Sequence, residues 1–309
     1  MKSTFGYLLI VVASVIWGTL GVFGKLAFGY GIDPQTLIAL RLLISSTTLL
    51  LPILLVKRDL LKIGRKDVGW FLVLGFFAVA LQRITYFYAI DLITATIAAM
   101  LYYTYPVIVT IYASLFLKER ITLQTALAVV LTFSGVALVV KAYETSWFNA
   151  NLAGIALGML SSVFFAMFFL LTKKLRSQYT NWTLVLYGDG IGALILLPVT
   201  LNSLPDIVSY PQQLWVLLLT IAWFSSLLAY LLYSYALKHV ESSKGSILSV
   251  IEPLSAAFFS LTILGEQFEP LQAFGVALAL LGIVLLFYRS KSRNQNNSVL
   301  RREEGEAEP

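Results

Sequence analysis

The chain has 309 residues, 59% of them hydrophobic and only 12% charged, with a mean hydropathy of +0.83 and a formal charge of +6. Soluble domains are about 45–50% apolar and about 25% charged, so these figures exclude a soluble fold and indicate an integral membrane protein. Cysteine is absent and histidine occurs once, as His239, which leaves no disulfide framework, no thiol chemistry and few ligands for zinc or haem.

Apolar runs of about 20 residues, the length that crosses a bilayer, recur ten times, at about 6–28, 35–56, 68–90, 92–117, 122–141, 152–173, 182–202, 212–237, 242–264 and 270–288. Their length and lack of strict alternation predict an all-α fold of ten transmembrane helices rather than a barrel. The joints are short, so neighbours run antiparallel in one bundle. The first run exceeds the apolar core of a signal peptide and no small-x-small site follows it, so it reads as a span carrying Trp17 and Gly18. The second carries Arg41 near one surface, placed to snorkel or to pin neighbouring helix ends. The third holds "ALQRITYFYAI", with Gln82, Arg83 and Tyr86, and the fourth Tyr102, Tyr105 and Pro106. The "KER" joint at 118–120 and Glu266 read as caps or pairs across joints. In the seventh, the glycines of "YGDGIG" allow close packing and Asp189 reads as a cap or an arginine partner. The eighth carries Tyr230 and Tyr233. The ninth carries Lys244 near its end, then Ser249, Glu252 and Pro253. Beyond 289 a polar tail reads as disordered.

Orientation follows from the basic residues in the joints. Fifteen lysines and arginines fall on the amino-terminal side, in joints such as "KRDLLKIGRKD", "KER" and "KKLR"; only Lys25 and Lys141 fall on the other. Both termini are therefore expected in the cytoplasm, with the protein multi-pass in the cell membrane.

The sequence also repeats. "ERITLQTALAVVLTFSGV" from Glu119 aligns with "EQFEPLQAFGVALALLGI" from Glu266, an offset of about 147 residues. The same offset pairs Arg83 with Tyr230, Tyr86 with Tyr233, Tyr105 with Glu252 and Pro106 with Pro253; an offset near 148 pairs Gly6, Ser14 and Lys25 with Gly154, Ser162 and Lys173. Each half then holds five spans, 1–144 and 145–289, with a tail at 290–309. Five is odd, so the second half enters the membrane from the opposite side. Two inverted five-helix repeats with interrupted helices at corresponding places are a signature of secondary transporters.

On these residues the chain resembles the drug/metabolite transporter superfamily, in its ten-span EamA type. The likeness rests on "VIWGTLGVFGKLA" (15–27), Arg41, and a proline-bearing helix, an acidic joint and a glycine-bearing helix in each half: "YPVIVTIYASLFLKERITLQTALAVVLTFSGVALV" and "EPLSAAFFSLTILGEQFEPLQAFGVALALLGIVLL". It covers about 1–289. It implies export or import of amino acids, sugars, nucleotides or drugs, without choosing among them. Phe165-Ala166 stand where the first half has Trp17-Gly18, so the two ends of the pathway differ chemically.

A charge at mid-bilayer costs about 2.5–3.5 kcal/mol on insertion scales, so such residues face a cavity or a partner. Glu252 falls near mid-bilayer and is a candidate proton site or ligand for a substrate ammonium. Ala98, Tyr102 and Tyr105, and likewise Gly245, Ser249 and Glu252, share one helical stripe. Pro106 and Pro253 break the helices and are expected to free the carbonyls of Tyr102 and Ser249 as acceptors. Arg83 can bind a carboxylate or phosphate, or pair with Glu252. The candidate substrate contacts are Trp17, Gln82, Arg83, Tyr86, Tyr102, Tyr105, Tyr230, Tyr233, Ser249 and Glu252. No catalytic residue, metal or cofactor is expected.

The leading reading is a secondary active transporter of small metabolites, an exporter or proton-coupled exchanger working by alternating access. Its expected partners are a small-molecule substrate, protons, the lipid bilayer and a second copy in a homodimer, with no nucleic acid. A membrane enzyme lacks support from any H-E-x-x-H, G-x-S-x-G or helically spaced aspartate pair. A channel or lipid flippase is the other alternative. No Walker A motif supplies direct drive by ATP.

Overall fold

The computed structural model describes residues 2–93, 95–144, 151–198, 200, 209–265, 267 and 269–305. Glu266 and most of the joint at 202–212 lie outside them. The described residues form ten helical rods and no strand: α1 (Lys2–Phe28), α2 (Pro34–Val56), α3 (Val68–Leu92), α4 (Ile97–Phe116), α5 (Leu123–Val139), α6 (Leu152–Leu175), α7 (Asn181–Leu196), α8 (Gln212–Leu237), α9 (Ser242–Leu264) and α10 (Pro270–Gly305). Eight of these are long and apolar enough to cross a membrane; α5, with 17 residues, and α7, with 16, are shorter. Many apolar side chains stay exposed on the outside of the bundle, as expected where lipid rather than water is the neighbour.

Local chemistry sets the helix starts. Asp33, Thr122, Asn151 and Thr180 each accept a backbone N–H of the first turn, and Pro34 begins α2 where a missing N–H costs nothing. The tail departs from the sequence expectation, because α10 continues as a helix to Gly305. No proline or glycine interrupts 283–304, and its Arg, Lys, Gln and Glu residues favour the helix once an apolar segment has nucleated it.

The halves share their irregularities. α3 contains a π-helical stretch, Leu74–Leu81, and α8 another, Ile221–Leu228, at equivalent positions. α4 is broken after Tyr102 and resumes at Tyr105; α9 is broken after Leu248 and resumes at Ile251. Pro106 and Pro253 sit in the first turns of the resumed pieces. Lys118 (φ 57°) and Gly265 (φ 67°) end these helices in the left-handed conformation at matched positions.

Packing follows the same pseudo-twofold relation. α2 packs on its mate α7, and α5 on its mate α10. A Cβ on Gly135 would lie 2.6 Å from the Gly275 carbonyl oxygen, and one on Gly282 would lie 2.9 Å from that of Ala128. Ala128 and Gly135 are the mates of Gly275 and Gly282, so the two contacts are one contact seen twice. Gly6 against Val240 and Gly154 against Ile93 form a second such pair. Gln272 donates to the Val139 carbonyl (2.8 Å), and Gln124 donates to that of its mate, Leu286 (3.1 Å). Close glycine contacts of this kind hold helices together where no hydrophobic force drives association.

Candidate functional site

A cavity of about 290 Å³ lies between α1, α2, α3, α4, α6, α8 and α9. This is near the lower end of small-molecule pockets, about 300–1,000 Å³. Its space comes from α1. Gly21 has no neighbour within 4 Å of a notional Cβ, and Gly24 meets only the Phe28 ring at 3.9 Å. The mate of Gly21 in α6 is Phe169, fully buried, with its ring 5.2 Å from Tyr105 and 5.3 Å from Tyr233. Glycine in one half and phenylalanine in the other thus leave the bundle open towards the α1–α2 turn and packed shut on the opposite side.

Seven expected contacts line this cavity: Trp17, Gln82, Arg83, Tyr86, Tyr102, Tyr230 and Glu252. The other three do not. Tyr105, Tyr233 and Ser249 are fully buried behind it. The Ser249 hydroxyl sits 2.9 Å from both the Tyr233 hydroxyl and the Gly245 carbonyl. The single helical stripe predicted for each half is therefore split. The breaks at 103–104 and 249–250 turn the resumed piece relative to the first, so Tyr102 but not Tyr105, and Glu252 but not Ser249, face the cavity.

A second difference concerns Ser249. Its carbonyl, expected to be freed by Pro253, accepts the Glu252 N–H at 2.9 Å. The chain closes into a tighter turn before the proline and satisfies the acceptor locally. Arg41, expected at a surface or pinning helix ends, is instead 8% exposed and lines the cavity. No sequence signal could have placed it there, since spacing along α2 gives depth and not the direction in which a side chain faces.

The polar groups in the cavity are under-used. Arg83 donates to the Val79 carbonyl (2.6 Å) and to the Tyr230 hydroxyl (2.9 Å), but its Nε has no partner. Arg41 Nε and Trp17 Nε1 are likewise buried without a partner. No described residue hydrogen-bonds or ion-pairs with the Glu252 carboxylate, so the pairing of Arg83 with Glu252 is not formed. Asp189 is held elsewhere, accepting from Ser45 of α2 at 2.6 Å. Buried donors without acceptors cost about 1–3 kcal/mol each, so a ligand that satisfied them would bind with that advantage.

Aromatic rings form the wall and the floor. Trp17 lies 5.0 Å from Tyr230 and 4.9 Å from Tyr233; Tyr102 lies 5.3 Å from Tyr86 and 5.0 Å from Phe165. Gly18 lets the resumed piece of α9 approach, since a Cβ there would fall 3.0 Å from the Glu252 carbonyl oxygen. The Glu252 backbone is thereby held against α1.

On the side away from the opening, the "KER" joint ties the halves. Glu119 accepts the backbone N–H groups of Ser242 (2.9 Å) and Ser243 (3.2 Å) and an ion pair from Lys173 (3.2 Å). The start of α9 has no cap of its own and takes one from Glu119. Burial works to raise the Glu119 carboxyl, but the Ser243 hydroxyl, these amides and Lys173 outweigh it and hold it below its ordinary value.

Comparison with known proteins agrees with this architecture. The EamA-like transporter family matches residues 4–141 and again 152–288. An uncharacterized transporter of Archaeoglobus fulgidus is 31% identical over 91% of this chain and 96% of its own. The uncharacterized transporter YetK of Bacillus subtilis is 27% identical over 94% and 89%. A solved crystal structure, 15% identical, superposes with a TM-score of 0.75 over 91% of this chain and 97% of its own, which shows a shared fold. The chain is a multi-pass membrane protein and belongs to the EamA-like transporter family.

Proposed function

We propose that this protein is a secondary active transporter of small metabolites, with its substrate site in the α1–α9 cavity and both termini in the cytoplasm of the cell. The observation that carries the reading is the split of mated residues. Arg83 and Tyr230 both line the cavity, as do Trp17 and Phe165. Tyr86, Tyr102 and Glu252 line it while their mates Tyr233, Ser249 and Tyr105 are packed away. An exchange of conformation between the halves would bury the first set and expose the second around the same central pair. This is alternating access in an inverted repeat.

The exchange also supplies a reason for coupling. Tyr105 occupies the position that Glu252 would take after the exchange, fully buried among Phe165, Phe169 and Tyr233. A carboxylate cannot enter such a site without a counter-charge or a proton. Glu252 therefore carries either a proton or a substrate cation through the transition, while Arg41 and Arg83 suit a substrate carboxylate or phosphate.

A ligand-stability screen across amino acids, sugars, nucleotides and organic cations identifies the substrate, because binding raises apparent stability by mass action. The hit is then tested for saturable flux in proteoliposomes. Non-saturable bidirectional flux would indicate a channel instead. Turnover of the hit by detergent-solubilised protein would indicate an enzyme.

A further inference from the structure

A second cleft, of about 730 Å³, lies outside the central site, at the end of the bundle opposite the α1–α2 turn. Its lower wall is apolar, formed by Pro52, Ile53 and Val56 in the last turn of α2. Its upper part carries Lys57, Arg176 and Lys238, and no carboxylate lines it. Arg176 is engaged, donating through Nε to the Ser234 carbonyl at 3.0 Å. Lys57 and Lys238 are exposed and no described residue forms an ion pair with either. Trp182 and Tyr235 also line it, 44% and 41% exposed, and are amphipathic rings of the kind enriched at bilayer interfaces.

The repeat provides an internal control. At the equivalent place in the other half, Lys238 is replaced by Asp91 and Arg176 by Phe28. At these two positions the other half carries no positive charge. The cleft's charge thus belongs to one face of the membrane and is not a by-product of the fold.

We propose that this cleft binds an anionic phospholipid, with the headgroup phosphate between Lys57 and Lys238 and one acyl chain along Pro52, Ile53 and Val56. The combination of a basic rim with an apolar wall fits a lipid and not a soluble anion, which has no use for the wall. Basic pockets between transmembrane helices on the cytoplasmic side recognise such headgroups, each cation near the surface contributing about 1 kcal/mol.

The test is native mass spectrometry of the full chain in detergent, titrated with phosphatidylglycerol and separately with phosphatidylcholine. The wild type is expected to retain phosphatidylglycerol preferentially. Lys57→Gln/Lys238→Gln should weaken that retention by about tenfold or more at about 1 kcal/mol per cation, leaving phosphatidylcholine unaffected. Lys57→Arg/Lys238→Arg should keep it. Both pairs are exposed, and circular dichroism verifies that the helices persist. Equal retention of the two lipids by the wild type, or equal retention of phosphatidylglycerol by the Gln variant, overturns the proposal. So does thermal stabilisation by soluble glycerol phosphate that matches that of the lipid, since the apolar wall would then contribute nothing.

Discussion

Arg83 donates to the Tyr230 hydroxyl at 2.9 Å, and the two residues, 147 positions apart, are each other's mates in the repeat. The pseudo-twofold axis therefore passes between them. A bond across the axis can persist while the halves exchange conformation around it, which makes this pair the fixed point of the proposed cycle.

If so, Tyr230→Phe should weaken ligand binding as well as stability. It leaves one arm of the Arg83 guanidinium unpaired in a buried site. Hydrogen bonds to charged groups are worth about 1.5–3 kcal/mol, roughly ten- to hundred-fold in affinity. Thermal shift with the screened ligand measures both quantities. Unchanged affinity would remove Arg83 from the substrate site.

The glycines of α1 separate packing from space. Gly18→Ala places a Cβ 2.6 Å from Ser255 Cβ and 2.9 Å from the Ala256 nitrogen, and should cost about 1–3 kcal/mol through overpacking. Gly21→Ala meets nothing within 4 Å and should leave the melting temperature unchanged or raised. Gly21→Phe, which copies Phe169 of the other half, should fill the cavity and abolish ligand stabilisation in a protein that still folds. Melting curves with and without ligand distinguish the three outcomes.

Glu119 makes a prediction about pH. Its carboxyl is held below the value of about 4.3 that it has in an unfolded chain. A depressed folded value contributes stability that is full above the unfolded value and is lost as pH falls through the folded one. Glu119→Gln should therefore melt lower than the wild type at pH 7, and the gap should close as the pH drops below about 4. A gap of equal size at both ends of that range would contradict the cap on α9.

Much of this arrangement was readable in the sequence because the repeat is. The constant offset paired Pro106 with Pro253, and so placed the two breaks as equivalent; the π-helical stretches and the α5–α10 packing left no such mark in the pattern. Seven of the ten expected contacts meet in one cavity, since hydrocarbon forces ionisable and phenolic groups inward. What the pattern could not supply was the state of the molecule. A stripe at helical spacing assumes a continuous helix, and the breaks before Pro106 and Pro253 divide it. Nor does a repeat reveal which half is open; that depends on Gly21 facing space where Phe169 fills it. Arg41 was misplaced for the same reason, because depth along α2 was legible and the direction it faces was not.

The most direct test of the central claim is accumulation of the identified ligand in proteoliposomes under an imposed proton gradient, comparing the wild type with Glu252→Gln at matched melting temperature. Saturable accumulation by the wild type that follows the gradient, and its loss or its independence of pH in the variant, is the predicted result. Accumulation and pH dependence identical in the two proteins would contradict the account, because Glu252, the one carboxyl among the described residues that line the cavity, would then carry nothing.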